Sequence, residues 1–176
     1  MKKILISSLI RIYLNDKSCI FIHHLNKNFF MPIKQIDYGT AEYDQMVNLR
    51  YEILRKPLKL SFDKEELEKE KNDILIAAFE EDKILGCCLL KKIDNHTVRL
   101  RQMAVANNLQ GKGIGASMMY FAENVARDAG FKKIRMHARK TAIGFYEKLG
   151  YTVMGNEFLE VSIPHFLMEK KLRLID

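Results

Sequence analysis

The residues best placed to do chemistry are Gln110, Gly111, Lys112, Gly113, Ile114, Gly115 and Ala116. Before them, Val98 to Val105 alternates apolar and polar side chains, the period of a half-buried strand. After them, Ile114, Met118, Phe121, Ala122, Val125 and Ala129 recur at helical spacing and Gly130 supplies a C-terminal cap. Three glycines therefore sit where a strand hands over to a helix. Without Cβ atoms they let main-chain N–H groups converge at the positive end of the helix dipole, which is a binding site for phosphate. Two familiar phosphate loops fail the spacing: Lys112 is not followed by Ser or Thr, and no glycine stands three positions after Gly115.

The strand carries a second signal. Its apolar positions are Val98 and Leu100, then Met103 and Val105, so the alternation slips by one near Arg101 and Gln102. A β-bulge produces such a slip; so does a Gln102 that merely faces solvent.

The Gln110, Gly113, Gly115 spacing resembles the pyrophosphate loop of the GNAT superfamily of N-acetyltransferases. A second stretch, Ala142 to Tyr151 with Phe145-Tyr146 and Gly150-Tyr151, resembles the helix beside the cofactor thiol in the same superfamily. The resemblance covers about residues 32 to 172. It implies a mixed α/β (α+β) fold: a mostly antiparallel sheet with a central, splayed parallel strand pair, flanked by helices. It also implies acetyl-CoA as co-substrate, with Gln110 to Ala116 on the pyrophosphate, Met103, Ala104 and Val105 along the thioester, and Tyr146 returning a proton to the departing thiolate. A phenol is a suitable donor to a thiolate at close range. One departure stands out: Arg139 occupies the position where many members carry a pantetheine-binding asparagine, so that contact is replaced, and Arg139 could serve a cofactor phosphate instead.

What must position these residues can be followed along the chain. Thr40 is a good N-cap for a helix whose face is Tyr43, Met46, Val47, Leu49, Ile53 and Leu54, stopped by Pro57. Arg50 and Arg55 on this helix read as solvated cations, or as partners for an anionic part of an acceptor. Asp63 to Lys71 reads as a short, highly charged helix forming a solvated flap. Ile74–Phe79 and Ile84–Leu90 read as a hairpin, Lys133–Ala138 as a strand parallel to the central one, Thr141–Leu149 as a helix, and the tail as two strands broken at Ser162-Ile163-Pro164. His96 reads as an exposed turn residue, and His165 as a histidine satisfied by a backbone carbonyl or bordering the acceptor.

Composition limits the remaining possibilities. The 176 residues suffice for one domain with a proper core, 31–176, and residues 1–30 read as an appendage upstream of a start at Met31. Of the net charge of +7, residues 1 to 30 hold +4, so the rest is too weakly basic for a nucleic-acid footprint. Cys19, Cys87 and Cys88 are odd in number, have no metal-ligand spacing to a histidine, and suit a reducing compartment. Apolar residues 4–10 end at Arg11 with no cleavage site behind them, and no stretch is long enough to span a bilayer. The expected location is cytoplasmic, with no membrane, metal or nucleic-acid partner; the oligomeric state, a homodimer included, is left open.

The expected reaction is direct attack of a primary amine, on a small molecule or peptide, upon the thioester in a ternary complex. Glu157, Glu160 and His165 are candidate bases and none is marked by a motif. The cysteines lack a base at recognisable spacing and are discounted as nucleophiles. A non-catalytic acyl-CoA sensor and an interaction module that keeps only the fold are the competing classes.

Overall fold

The computed structural model describes residues 2–7, 10–15, 19–23 and 31–173. The reading of residues 1–30 as an appendage falls partly outside the described residues. Within that stretch, strands β1 (Lys2–Ser7), β2 (Ile10–Asn15) and β3 (Cys19–His23) form an antiparallel three-stranded sheet of their own.

The remaining elements are β4 (Ile33–Ile36), α1 (Ala41–Arg50), α2 (Lys64–Glu68), β5 (Ile74–Glu80), β6 (Lys83–Lys92), β7 (Thr97–Val105), α3 (Ile114–Asp128), β8 (Lys133–Arg139), α4 (Ile143–Lys148), β9 (Thr152–Glu160) and β10 (Ile163–Lys171). Seven strands hydrogen-bond in the order β4-β5-β6-β7-β8-β10-β9. The β4–β5, β8–β10 and β9–β10 pairs are antiparallel, whereas β7–β8 is parallel. This is the mixed α/β sheet with a parallel pair near its centre that the resemblance implied.

The chain forms two compact units, one of residues 1–89 and 102–122, the other of residues 90–101 and 123–176. In the first, α1 starts as its sequence dictates: the Thr40 hydroxyl accepts the Tyr43 N–H at 3.2 Å. The helix then buries Tyr43 and Met46 in a core with Ile36, Leu75, Ala77, Phe79, Ile84, Cys87, Leu89 and Ala104. Pro57 does not act at once: a π-helical turn over Tyr51–Arg55 and a 3-10 turn over Lys56–Leu58 carry the chain on until Lys59 turns left-handed at φ 57°. Gly86 on β6 gives α3 room, because a Cβ there would lie 2.6 Å from Met118 Sδ and 3.3 Å from the Ala104 carbonyl oxygen.

In the second unit β8 buries Ile134, Met136 and Ala138 and turns Lys133, Arg135, His137 and Arg139 outward. α3 ends at Gly130 with φ 84°, as expected, although Ala129 is exposed rather than part of the apolar stripe. The helix expected over Thr141–Leu149 is shorter, since its first residues form a 3-10 turn over Lys140–Ala142. Gly150, at φ 85°, then donates its N–H to Glu147 O. Val161 and Ser162, at φ 52° and 60°, make the tight turn between β9 and β10.

Candidate active site

The slip in the β7 pattern is a change of backbone. Gln102 has φ 50°, a left-handed conformation that a non-glycine residue in a strand adopts only under constraint. Registered pairing with β8 runs from Thr97↔Lys133 to Leu100↔Met136 and goes no further along β7. Beyond the bulge, Ala104 hydrogen-bonds the Cys87 sulfur on β6 through its backbone, and the Ala106 N–H donates to Leu85 O at 2.9 Å. Since successive main-chain amides of a strand point to opposite edges, those of Met103 and Val105 turn away from β6.

The following loop is tied back to this strand. Gln110 Nε2 donates to the Val105 carbonyl at 3.2 Å and to Asn107 Oδ1 at 3.3 Å. Gly111 and Gly113 have φ 77° and 87°, and a Cβ on either would meet nothing within 4 Å. These glycines therefore serve the backbone dihedral and leave open space in front of the loop. The Gly113 carbonyl accepts the Ser117 N–H at 3.0 Å and its hydroxyl at 3.1 Å, which starts α3 there. The first-turn amides of α3 have no carbonyl of their own helix to bond. Lys112 differs from its neighbours, because its N–H already reaches Leu109 O at 3.4 Å; its exposed ammonium is what it can offer an anion.

Beneath the bulge lies a cluster that sequence reasoning missed. Arg50 and Glu70 are 0% and 1% exposed and form a bidentate pair, Nη1 to Oε1 at 2.8 Å and Nη2 to Oε2 at 2.9 Å. Arg50 Nη1 also donates to Gln102 Oε1 at 2.9 Å, and Gln102 Nε2 donates to Glu70 Oε1 at 3.3 Å. The Tyr43 hydroxyl donates to Glu70 Oε2 at 2.8 Å. Burial by itself would lower the Arg50 pKa, but the hydrogen bonds and charge of Glu70 outweigh it and the pKa is raised. Burial, with Glu70 close by, pushes the Tyr43 phenol well above its ordinary range, so it stays a donor.

Two expectations are thereby corrected. Arg50 is not a solvated cation, and 63–71 is not a purely solvated flap: Asp63 caps α2 through the Glu66 N–H, but the 3-10 turn after it, Lys69–Asn72, delivers Glu70 into the interior. One signal was present, since Arg50 lies seven residues beyond Tyr43 on the apolar stripe of α1. Arg55 is engaged as well, ion-paired to Glu66 with its guanidinium 4.6 Å from the Phe62 ring centroid.

The remaining expected residues belong to the second unit. Tyr146 on α4 is buried, its ring 4.9 Å from Phe145 and 6.0 Å from Tyr151 between centroids. His165 places Nδ1 2.8 Å from the Ile163 carbonyl and stacks at 6.1 Å on Phe158, the backbone-satisfied reading. Glu157 pairs with Lys140 at 2.7 Å, and Glu160 with Nδ1 of His137. Neither carboxylate is a free base. Cys87 and Cys88 are fully buried; burial pushes the Cys87 thiol up to about 12 and Cys88 higher still, which removes both as nucleophiles. Among the described residues no cluster of three metal-ligating side chains occurs, and no helix is long and apolar enough to cross a membrane.

Residues 40–151 match the family model described as the acetyltransferase (GNAT) family; the chain belongs to that family. It is similar to the uncharacterized protein YyaT of Bacillus subtilis, 32% identical over 46% of this chain and 55% of YyaT. It is also similar to the uncharacterized N-acetyltransferase YjcF of the same organism, 30% identical over 69% of this chain and 87% of YjcF. The chain thus spans only about half the length of YyaT. Its fold is shared with an aminoglycoside 6'-N-acetyltransferase complexed with coenzyme A, at TM-score 0.69 and 19% identity over 82% of this chain and 98% of that one. It is shared too with a GNAT family acetyltransferase from Elizabethkingia anophelis with acetyl-CoA bound, at TM-score 0.63 and 22% identity over 83% of this chain and all of that one.

Proposed function

We propose that the protein is an N-acetyltransferase that moves an acetyl group from acetyl-CoA to a primary amine by direct attack in a ternary complex. The observation that carries this reading is the conjunction, within fifteen residues, of a left-handed bulge at Gln102 and a glycine turn at Gly111 and Gly113 opening onto α3. The strand edge offers main-chain amides to a carbonyl, and the turn offers them to a diphosphate. The residues fit coenzyme A: open space lies where glycine Cβ atoms would sit, first-turn amides have no helical acceptor, and Lys112 adds an exposed cation.

In this reading Gln110, Gly111, Gly113, Ile114, Gly115 and Ala116 hold the diphosphate by main chain and Lys112 by charge. Met103 and Val105 align the thioester and stabilise the negative charge that gathers on its carbonyl oxygen; Ala104, turned to Cys87, holds the strand in place. The neutral amine forms the new C–N bond as the C–S bond breaks, Tyr146 gives its phenolic proton to the thiolate that leaves, and the proton shed by the acylated nitrogen passes to water and restores the phenol. No residue of the tail is assigned as base: Glu157 and Glu160 are held in ion pairs, and the Nδ1 bond of His165 to the Ile163 carbonyl engages only one ring nitrogen and does not decide its role. The acceptor class is a small-molecule or peptide amine. The proposed location is the cytoplasm.

Titration with coenzyme A, followed by amide resonances, tests the first half: those of residues 110–116 should move, and unmoved resonances would refute the assignment. A panel of amines monitored by release of free thiol tests the second half. Binding without thiol release from any amine would replace the enzyme by an acyl-CoA sensor. In the active enzyme Tyr146→Phe should lower kcat while leaving coenzyme A affinity intact.

A further inference from the structure

We propose that Arg50 and Glu70 are positioning residues: gripping the Gln102 side chain, they hold Gln102 in its left-handed conformation and so set the bulge that aims the Met103 and Val105 amides. This deepens the acetyltransferase reading and rests on it for the catalytic consequence.

A left-handed glutamine in a strand persists only where its surroundings over-determine it. At Gln102 the determinants are two hydrogen bonds of opposite sense. Its carbonyl oxygen accepts from Arg50 Nη1 at 2.9 Å, and its amide nitrogen donates to Glu70 Oε1 at 3.3 Å. Only one orientation of the carboxamide satisfies both. The grip is rigid because neither charge can rehydrate: Arg50 and Glu70 are 0% and 1% exposed. Arg50 is held from its other sides by the rings of Tyr43 and Phe62, at 5.9 and 5.1 Å from its guanidinium carbon, and Tyr43 also anchors the carboxylate.

The cluster joins three separate stretches of chain. Arg50 ends α1 and opens the π-helical turn Tyr51–Arg55, Glu70 lies in the 3-10 turn after α2, and Gln102 is the residue immediately before Met103. Local π-helical geometry in an α-helix recurs at functional positions. Stability alone is a poor reason for such a pair, because well-packed apolar residues commonly stabilise a core as well as a buried ion pair does. Register is the better-attested use, and what this pair registers is a strained residue one step from the proposed thioester segment.

The test compares wild type with Glu70→Gln, Gln102→Val and Gln102→Gly. In the free protein, Cα and Cβ chemical shifts of Gln102 report its backbone conformation. Turnover and coenzyme A affinity are then measured separately, using the best amine from the thiol-release panel. The expected result is a left-handed signature at Gln102 in wild type that is lost in Glu70→Gln, with kcat falling on the order of tenfold or more in Glu70→Gln and Gln102→Val. Coenzyme A affinity should hold, since the 110–116 loop is untouched. Gln102→Gly, which accepts positive φ without the side-chain tie, should retain more turnover than Gln102→Val. Unchanged shifts and turnover in Glu70→Gln overturn the proposal. If that variant does not fold, Gln102→Val, which removes no charge, decides it: wild-type turnover there overturns it. A wild-type protein that binds no coenzyme A would defeat the acetyltransferase reading instead, and the shifts would still show whether the pair holds the bulge.

Discussion

Glu70 and Glu123 are built from the same parts and do different things. Each is a carboxylate at most 2% exposed, each takes a hydrogen bond from a tyrosine hydroxyl, and each faces a cation: Tyr43 and Arg50 for Glu70, Tyr151 and Lys170 for Glu123, which has Arg127 as a second cation at 3.7 Å. The difference lies in the fourth partner and in water. Glu70 shares Arg50 with Gln102, a residue in strained backbone, and both charges are sealed. Lys170 instead bonds the Leu149 carbonyl beyond the end of α4, and its side chain is 23% exposed. A buried charge is therefore not in itself a mark of function. What distinguishes the first cluster is that its geometry is passed to the backbone beside the proposed reaction centre, whereas the second fastens β10 to α3 and to the end of α4.

Alanine at each position turns this contrast into numbers. Glu70→Ala strands a guanidinium with no route to solvent, and should cost about 3–5 kcal/mol of unfolding free energy in denaturant titrations. Glu123→Ala should cost less, about 1–3 kcal/mol, because Lys170 can turn to water. At a temperature where Glu123→Ala stays folded, its initial rates should match wild type. Equal losses of stability, or a catalytic defect in Glu123→Ala, would erase the distinction.

Gly86→Ala sharpens the contrast by disturbing the β7 segment without touching any charge. Its Cβ would press on Met118 Sδ, which can swing aside, and on the Ala104 carbonyl, which is fixed in β7. Overpacking of this kind should cost about 1–3 kcal/mol by thermal or chemical unfolding. If Ala104 rather than Met118 yields, turnover should fall more than stability alone explains. A variant as active as wild type places the adjustment in the methionine.

The glycine turn and the strained residue of β7 could be read from sequence because they are local: glycines ahead of an apolar helix and a slipped alternation at Gln102 each write their geometry into a few adjacent residues. The fold was legible through the resemblance that these residues and the Phe145-Tyr146 to Gly150-Tyr151 stretch carry. The Arg50–Glu70 pair is not local: it joins positions 20 apart on segments whose own patterns are ambiguous. A run as charged as Lys64 to Lys71 looks solvated, and only the 3-10 turn that rotates Glu70 inward, opposite a stripe that Tyr43 begins and Arg50 completes, shows otherwise. The Thr40 cap and the carbonyl-bound His165 were legible for the opposite reason, since each is satisfied within three residues.

The smallest effect probes whether the Arg50 charge is spent within its own cluster. Cys87 lies close enough to feel both members of the pair: burial raises its pKa most, Arg50 lowers it and Glu70 raises it, for a result of about 12. An unfolded cysteine ionises near pH 8.5. A folded-state pKa above that value contributes stability that is complete below about pH 8.5 and is lost as pH rises toward the folded value. Native protein at pH 9 should thus resist alkylation by iodoacetamide at Cys87, while denatured protein reacts, with peptide mass mapping to tell the cysteines apart. Glu70→Gln removes the charge that raises the Cys87 pKa and leaves Arg50 uncompensated, so the Cys87 thiolate, read from its Cβ chemical shift in the folded protein, should appear at lower pH than in wild type. Cys88, whose shift comes from burial and from Cys87 and not from the pair, should not follow it. Parallel changes at both thiols would mean that the variant has simply loosened the core, and the Arg50 charge would have no separate role there.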